Sequence, residues 1–190
     1  MASLISHAVA ALGIGTAFAR PQVPNRVWII GATCSMIPDI DVIGFRFGIR
    51  YGDFWGHRGF THSLLFAAIL TASAVLACFF RKTPGVNRGV LWAYFFLAAA
   101  SHGLLDAMTN GGLGVAFFSP FDTTRYFLPW RPILVSPISV TRFFSDRGIA
   151  VLQSELLWIW IPSGALAALA FAIRMVSELP KTPKVSMFSQ

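Results

Sequence analysis

Three short stretches of this chain set imidazoles beside carboxylates. In "SHGLLD", His102 and Asp106 stand four residues apart. On a helix that spacing puts both side chains on one face, about one turn from each other, so one helix can offer both to a single cation. In "IPDID", Asp39 and Asp41 are two apart just after Pro38. In extended backbone, positions i and i+2 point the same way, so the two carboxylates are expected to converge. In "HRGFTHS", His57 and His62 are five apart, which is poor geometry within one helix. Gly59 between them is expected to permit a turn, with His57 on a loop and Thr61, His62 and Ser63 starting a helix. His7 completes the four histidines.

Imidazole nitrogens with carboxylate oxygens suit Zn2+, Mn2+ or Fe2+, and without thiolates they do not make a closed structural zinc site. The seven candidate ligands exceed what one tetrahedral ion takes. Either some of them hold the ligands from behind, or two ions lie about 3.5–4 Å apart, the arrangement that hydrolyses phosphoesters. Each residue also has a plainer reading: a histidine bonding a neighbouring helix, loop acids, a hydrogen bond within one helix. Their concentration at one level of the molecule argues against that.

The elements that must position them are apolar. Five stretches stand out, 2–19, 27–38, 60–80, 90–108 and 149–173, in a chain of 190 residues that is 55% hydrophobic and only 12% charged. A soluble domain would carry about twice that charged fraction, and the runs approach the roughly 20 residues of a membrane span. The expected fold is an all-α integral membrane protein, one domain over 1–190, built as a bundle of about five transmembrane helices. The second stretch is short, its residues before Pro38 reaching only about 16 Å, so it must tilt, borrow flanking residues or stop partway. Small residues at four-residue spacing (Ala11, Gly15, Ala19; Gly164, Ala168, Ala172) mark close-packing faces on the first and last helices, and Pro162 is expected to kink the last. Residues 17–19 resemble a signal-peptidase box, but 1–16 hold no Lys or Arg, so a retained first helix is expected. Residues 109–148, rich in Gly, Pro, Phe and Arg, are expected to cap the bundle at headgroup level, and 179–190 to form a loose tail. Cys34 and Cys78 lie in apolar segments and are expected to be free thiols.

Alternation of five spans brings the chain start, the 39–59 loop and the 109–148 segment to one face. All four histidines and three of the six aspartates then lie at that end. Ionisable groups bordering membrane spans are rare and by default mark function. Arg20, Arg26, Arg81, Lys82, Arg88, Arg174, Lys181 and Lys184 fall on the opposite face, whose shorter loops and three lysines make it the cytoplasmic one. The site is therefore expected on the extracytoplasmic side of a cell membrane. The net charge of +7 is dispersed between apolar runs, without the dense basic cluster of a nucleic-acid surface. Membrane lipids and a phosphate-bearing substrate are the expected partners.

Arg58 adjoins the ligands, and its forked donors suit a phosphate or a developing negative charge. Arg125 and Arg131 offer the same chemistry less pointedly. Glu155, near the depth of His7, is a candidate general acid or base, as is Asp41. Asp53 and Asp122 read as loop acids.

"PDID", "HRGFTHS" and "SHGLLDAMTNGG" in that order, with His7 before them and "SPFD" after, resemble the LexA-regulated, YdjM-like family of inner-membrane metal-dependent hydrolases. The resemblance spans roughly residues 1–140. That family is regarded as distantly similar to zinc phospholipase C and P1 nuclease, helical phosphoesterases with His/Asp-bound zinc. The resemblance implies His7, Asp39, Asp41, His57, His62, His102 and Asp106 as metal positions, and inner-membrane localisation.

The expected activity is metal-dependent hydrolysis of a phosphoester in a lipid or lipid-linked substrate, with one or two ions, Zn2+ before Mn2+ or Fe2+. The rivals are a metal-ion or proton-coupled transporter and a non-catalytic membrane adaptor. A transporter would continue its polar residues across the bilayer, whereas the inner halves of the third and fifth stretches are apolar. HExxH and GxSxG are absent, against a zincin protease and a serine hydrolase. Four histidines are about half of what a histidine-box desaturase needs.

Overall fold

A computed structural model describes residues 1–18, 23–81 and 87–177. Among these residues the elements are helices: α1 (Leu4–Phe18), α2 (Asn25–Met36), α3 (Leu64–Cys78), α4 (Arg88–Ala107), the one-turn α5 (Val140–Phe143), α6 (Asp146–Glu155) and α7 (Ile161–Ser177). Two isolated bridges, Thr109 with Ile133 and Val115 with Tyr126, are the whole of the β-pairing there. Polar side chains start the helices that follow loops. Ser63 accepts from the Phe66 amide at 3.1 Å to open α3, and Asn87 accepts from Gly89 and Val90 at 2.8 and 3.2 Å to open α4.

Three continuous helical runs are long and apolar enough to cross a membrane: 25–47, 88–107 and 146–177. α1 and α3 are shorter apolar helices beside them. The second run departs from the expected short stretch. Pro38 does not stop it; it sits at the start of a 3-10 helix, Ile37–Phe47, that carries α2 onward until Gly48 closes it at φ 80°. The third run is joined by a π turn, Leu156–Trp160, that ends two residues before Pro162. A wide turn there lets the chain continue past a residue that has no amide donor.

α1 packs against α2, α4 and α7, while α4 also packs on α2 and α3. The two ends of this bundle differ. Ala11, Val27, Val75, Phe79, Leu91, Tyr94, Phe95 and Ala98 fill the half away from the histidines. Gly15 makes that packing possible, since a Cβ there would lie 2.7 Å from the Tyr94 ring and 2.8 Å from Trp28. The second small-residue stripe does not pack: Gly164 has open space around it, and Ala168 and Ala172 are exposed. α7 instead meets α1 where Ser163 abuts Gly13. Residues 109–133 run across the histidine end and are tied down by backbone hydrogen bonds, Ala116 to Arg58 and Leu64 to Phe117, each 3.0 Å. Arg20, Lys82, Lys181, Lys184, Ala19 and the tail at 179–190 lie outside the described residues.

Candidate metal centre

Four helix ends deliver the site. α1 supplies His7 in its second turn, the 3-10 helix supplies Asp39 and Asp41, the turn before α3 supplies His62, and the last turns of α4 supply His102 and Asp106. The expected extended "PDID" is a 3-10 turn instead. Its two carboxylates diverge enough to stand on either side of His62, Asp41 at 3.2 Å from Nδ1 and Asp39 at 3.6 Å from Nε2.

Asp39, His62, His102 and Asp106 form one group, all buried, with one ligand atom each within 4.8 Å of the others. His102 Nε2 lies 3.0 Å from His62 Nε2 and 3.3 Å from Asp39 Oδ1. Asp106 Oδ2 lies 3.6 Å from His62 Nε2. Bonds of 2.0–2.2 Å in a tetrahedron put neighbouring ligand atoms about 3.3–3.6 Å apart, so these spacings suit a small cation. Asp41, His57 and His62 form a second group that shares His62. His7 stacks on His102 with ring centroids 3.6 Å apart, its Nε2 3.5 Å from Asp106 Oδ1.

The pattern of hydrogen bonds is what separates this cluster from an ordinary buried ion-pair network. Outward-facing atoms have fixed partners. His102 Nδ1 donates to the Ser35 carbonyl at 2.7 Å, which leaves its Nε2 to face His62 Nε2 without a proton of its own. His57 Nδ1 is 2.7 Å from Asp41 Oδ1, Thr61 donates to Asp41 Oδ2 at 2.7 Å, and the Ala2 amide donates to Asp106 Oδ1 at 2.7 Å. Six buried atoms of the cluster have no hydrogen-bond partner: both nitrogens of His7, both oxygens of Asp39, His57 Nε2 and Asp106 Oδ2, the last ion-paired with Arg58. Buried polar atoms are nearly always paired. Six without a hydrogen bond, gathered in one His/Asp cluster, fit a cation.

His57 and His62 lie outside the membrane-length helices, and their environments pull them apart. Burial lowers His57 from its ordinary 6.5, outweighing the neighbouring Asp41. Burial also disfavours the charged form of His62, but the carboxylates of Asp106, Asp39 and Asp41 overcome it and raise the ring to about 10. With no cation bound, a proton on His62 answers part of the buried negative charge.

Arg58 answers another part. It is fully buried and adopts φ 64°, a conformation that side-chain-bearing residues rarely take. The turn in "HRGFTHS" thus has its left-handed residue at Arg58, not Gly59. Gly59 is needed for a different reason, since a Cβ there would press on the Phe54 carbonyl and lie 2.8 Å from that of Gly56. Arg58 Nε sits 3.1 Å from Asp106 Oδ2, Nη1 donates to the Gly111 carbonyl and Nη2 to Thr109, both at 2.9 Å. Its donors are therefore committed behind Asp106 and do not face open space as the sequence suggests. Glu155 also stands apart: Ser3 N, Ser3 Oγ and Ser6 Oγ donate to it at 2.5, 2.6 and 2.7 Å, anchoring the chain start. Arg125 donates to the carbonyls of His57, Tyr51 and Asp53, and Arg131 lies over the Phe127 ring. Ser35, Thr61 and Thr109 were not singled out from the sequence; only the adjacency of Thr61 and Thr109 to the motifs pointed toward them.

The YdjM inner membrane protein family matches residues 1–179. The chain belongs to that family. Within reach of this YdjM-family chain, the inner membrane protein YbcI of Escherichia coli (strain K12) is 38% identical over 164 residues, 85% of this chain and 92% of YbcI. The Bacillus subtilis (strain 168) protein YvsG is 36% identical over 106 residues, 52% of this chain and 59% of YvsG. No solved structure matches the chain significantly. Family membership and the apolar helices together make this a membrane protein with a buried His/Asp cluster able to bind a metal ion.

Proposed function

We propose that this YdjM-family protein is a metal-dependent hydrolase of the inner membrane, acting on a phosphoester in a lipid or lipid-linked substrate. The observation that carries the reading is the set of buried ligand atoms without hydrogen-bond partners, gathered at four helix ends. Asp39, His62, His102 and Asp106 would hold the ion, with His7 beside them. Zn2+ suits this mix of nitrogen and oxygen best, with Mn2+ or Fe2+ as alternatives. When bound, the ion supplies a water acidified toward neutrality and a counter-charge for phosphoryl oxygens. Asp41 orients His57 through Nδ1, so that the free Nε2 of a ring kept neutral by burial is available to take a proton. Arg58 holds Asp106 in place and offsets its charge. In this reading five helices span the bilayer, residues 109–148 cap the bundle, and the site faces the extracytoplasmic side. LexA control and the zinc phospholipase likeness rest on family resemblance.

The test is elemental analysis of protein purified without chelator or metal-affinity resin, alongside His62→Ala, with turnover of a chromogenic phosphodiester. One or two ions per chain, lost together with turnover in the variant, is the expected result. Metal-free wild-type protein, or unchanged turnover in His62→Ala, would overturn the reading.

A further inference from the structure

A cavity of about 530 Å3 opens beside the cluster, bounded by Tyr51, His57, Ser136, Pro137, Ile138 and Arg142 among others. His57 belongs to both the cavity wall and the Asp41–His57–His62 group, so the cavity is continuous with the chemistry. Two of its polar side chains are uncommitted. Among the described residues, the Arg142 guanidinium has neither hydrogen bond nor ion pair, and the Ser136 hydroxyl has no partner. The neighbouring arginines are all committed: Arg58 to Asp106, Arg125 to three carbonyls, Arg147 to the Val135 carbonyl at 3.1 Å. Tyr51, His57, Ser139 and Met1 add further polar groups to its wall, and Val135, Pro137 and Ile138 form its apolar part. Beyond Ile138, itself 46% exposed, the rim continues into Val140 at 70% and Phe144 at 81%. Large apolar side chains left open at a membrane protein's rim sit where acyl chains meet headgroups.

We infer that this cavity binds the phosphate headgroup of an amphiphile, with Arg142 and Ser136 taking the phosphate oxygens and Pro137, Ile138, Val140 and Phe144 lying along the acyl chains. The assignment rests on the hydrolase reading for what happens next at His57, and deepens it by naming the cavity and the residues that recognise the headgroup. An arginine fork matches phosphate geometry, and a site at the headgroup boundary rewards a ligand with both a charge and a tail. Arg142 is a recognition residue; the ligand-holding carboxylates and histidines are untouched by its substitution.

Binding to the purified full chain in a neutral detergent tests this by calorimetry, using dihexanoyl phosphatidic acid, dihexanoylglycerol and inorganic phosphate as probes. Wild-type protein should bind the phosphatidic acid at least about tenfold more tightly than either other probe. Arg142→Gln should weaken it about tenfold, the size of one lost charge-assisted contact, and Arg142→Lys should restore part. Equal binding by Arg142→Gln overturns the assignment. Equal binding of the glycerol overturns the phosphate, and equal binding of inorganic phosphate overturns the amphiphile. Phosphate release from the same lipid separates the two readings. Arg142-dependent binding with no turnover of this lipid or of the chromogenic phosphodiester sustains the cavity and removes the hydrolase; release with a KM unchanged in Arg142→Gln does the reverse.

Discussion

His62 couples metal binding to pH in a way that can be worked from the structure. Three carboxylates surround a ring that, without a cation, holds its proton up to about pH 10. An ion ligated through either nitrogen must displace that proton. At pH 7 the ring is about three pH units below its midpoint, so displacement opposes binding by roughly 4 kcal/mol, about a thousandfold in affinity. Affinity should therefore rise about tenfold per pH unit between pH 6 and 8, with one proton released per ion from this ring. The metal-free protein runs the opposite way. A folded-state midpoint raised above the unfolded 6.5 contributes stability that is complete below about pH 6.5 and fades as pH rises through about 10. Calorimetric titration with Zn2+ in buffers of different ionisation enthalpy counts the proton, and thermal midpoints with and without chelator over pH 6–9 read the two opposed trends. Affinity flat from pH 6 to 8, with no proton released, would refute the placement of His62 among the ligands.

Thr61→Val removes the shortest of the donors to Asp41 Oδ2, at 2.7 Å, leaving the Arg58 amide and His62 Nδ1; losing this charge-assisted hydrogen bond should weaken stability by about 1–3 kcal/mol, read as a lowered thermal midpoint, with Zn2+ stoichiometry retained. Gly15→Ala drives a methyl into Tyr94 and Trp28 and should cost about 1–3 kcal/mol, measured by thermal unfolding in detergent, with metal content unchanged. Glu155→Gln keeps the shape but weakens three short bonds to Ser3 and Ser6; its thermal midpoint should fall, and protease nicking near the chain start should rise. Arg58→Lys loses the fork that serves Asp106, Thr109 and Gly111 together, so metal affinity should drop at least about tenfold, whereas affinity equal to wild type would show that Arg58 does not set the position of Asp106.

Much of the site was legible because its signals are local or additive. The i, i+4 pair His102 and Asp106 is a property of any helix, and the alternation of apolar runs put the other histidines at the same end. What was not legible lies in backbone choices that side-chain pattern does not encode. Pro38 could end a helix or begin a tighter one, and only the packing of the following turn on His62 favours the 3-10 form that spreads Asp39 and Asp41. The turn in "HRGFTHS" was expected at Gly59; it is there, but its left-handed residue is Arg58, while close carbonyls around Gly59 exclude a side chain. The stripe at Gly164 has the spacing of a packing face, yet α7 turns that face outward, because spacing says which residues share a face and not what covers it.

Arg58 ties these features to function. Its φ of 64° stores strain on the order of 1–3 kcal/mol, and its burial with Asp106 removes two charges from water, which a pair of well-packed apolar side chains would avoid. A chain selected for stability alone has easier solutions at this position, glycine for the backbone and an aliphatic pair for the volume. The strain is explicable if the arginine must reach Asp106 from behind while the same turn presents His57 and His62 on either side of it. The groups on the outward side of the cluster act alike: Ser35, Thr61 and the Ala2 amide fix His102 Nδ1, Asp41 Oδ2 and Asp106 Oδ1. Rigid support outside, with the inner atoms of Asp39, His62, His102 and Asp106 held 3.0–3.9 Å from one another, is the division of labour a metal centre requires.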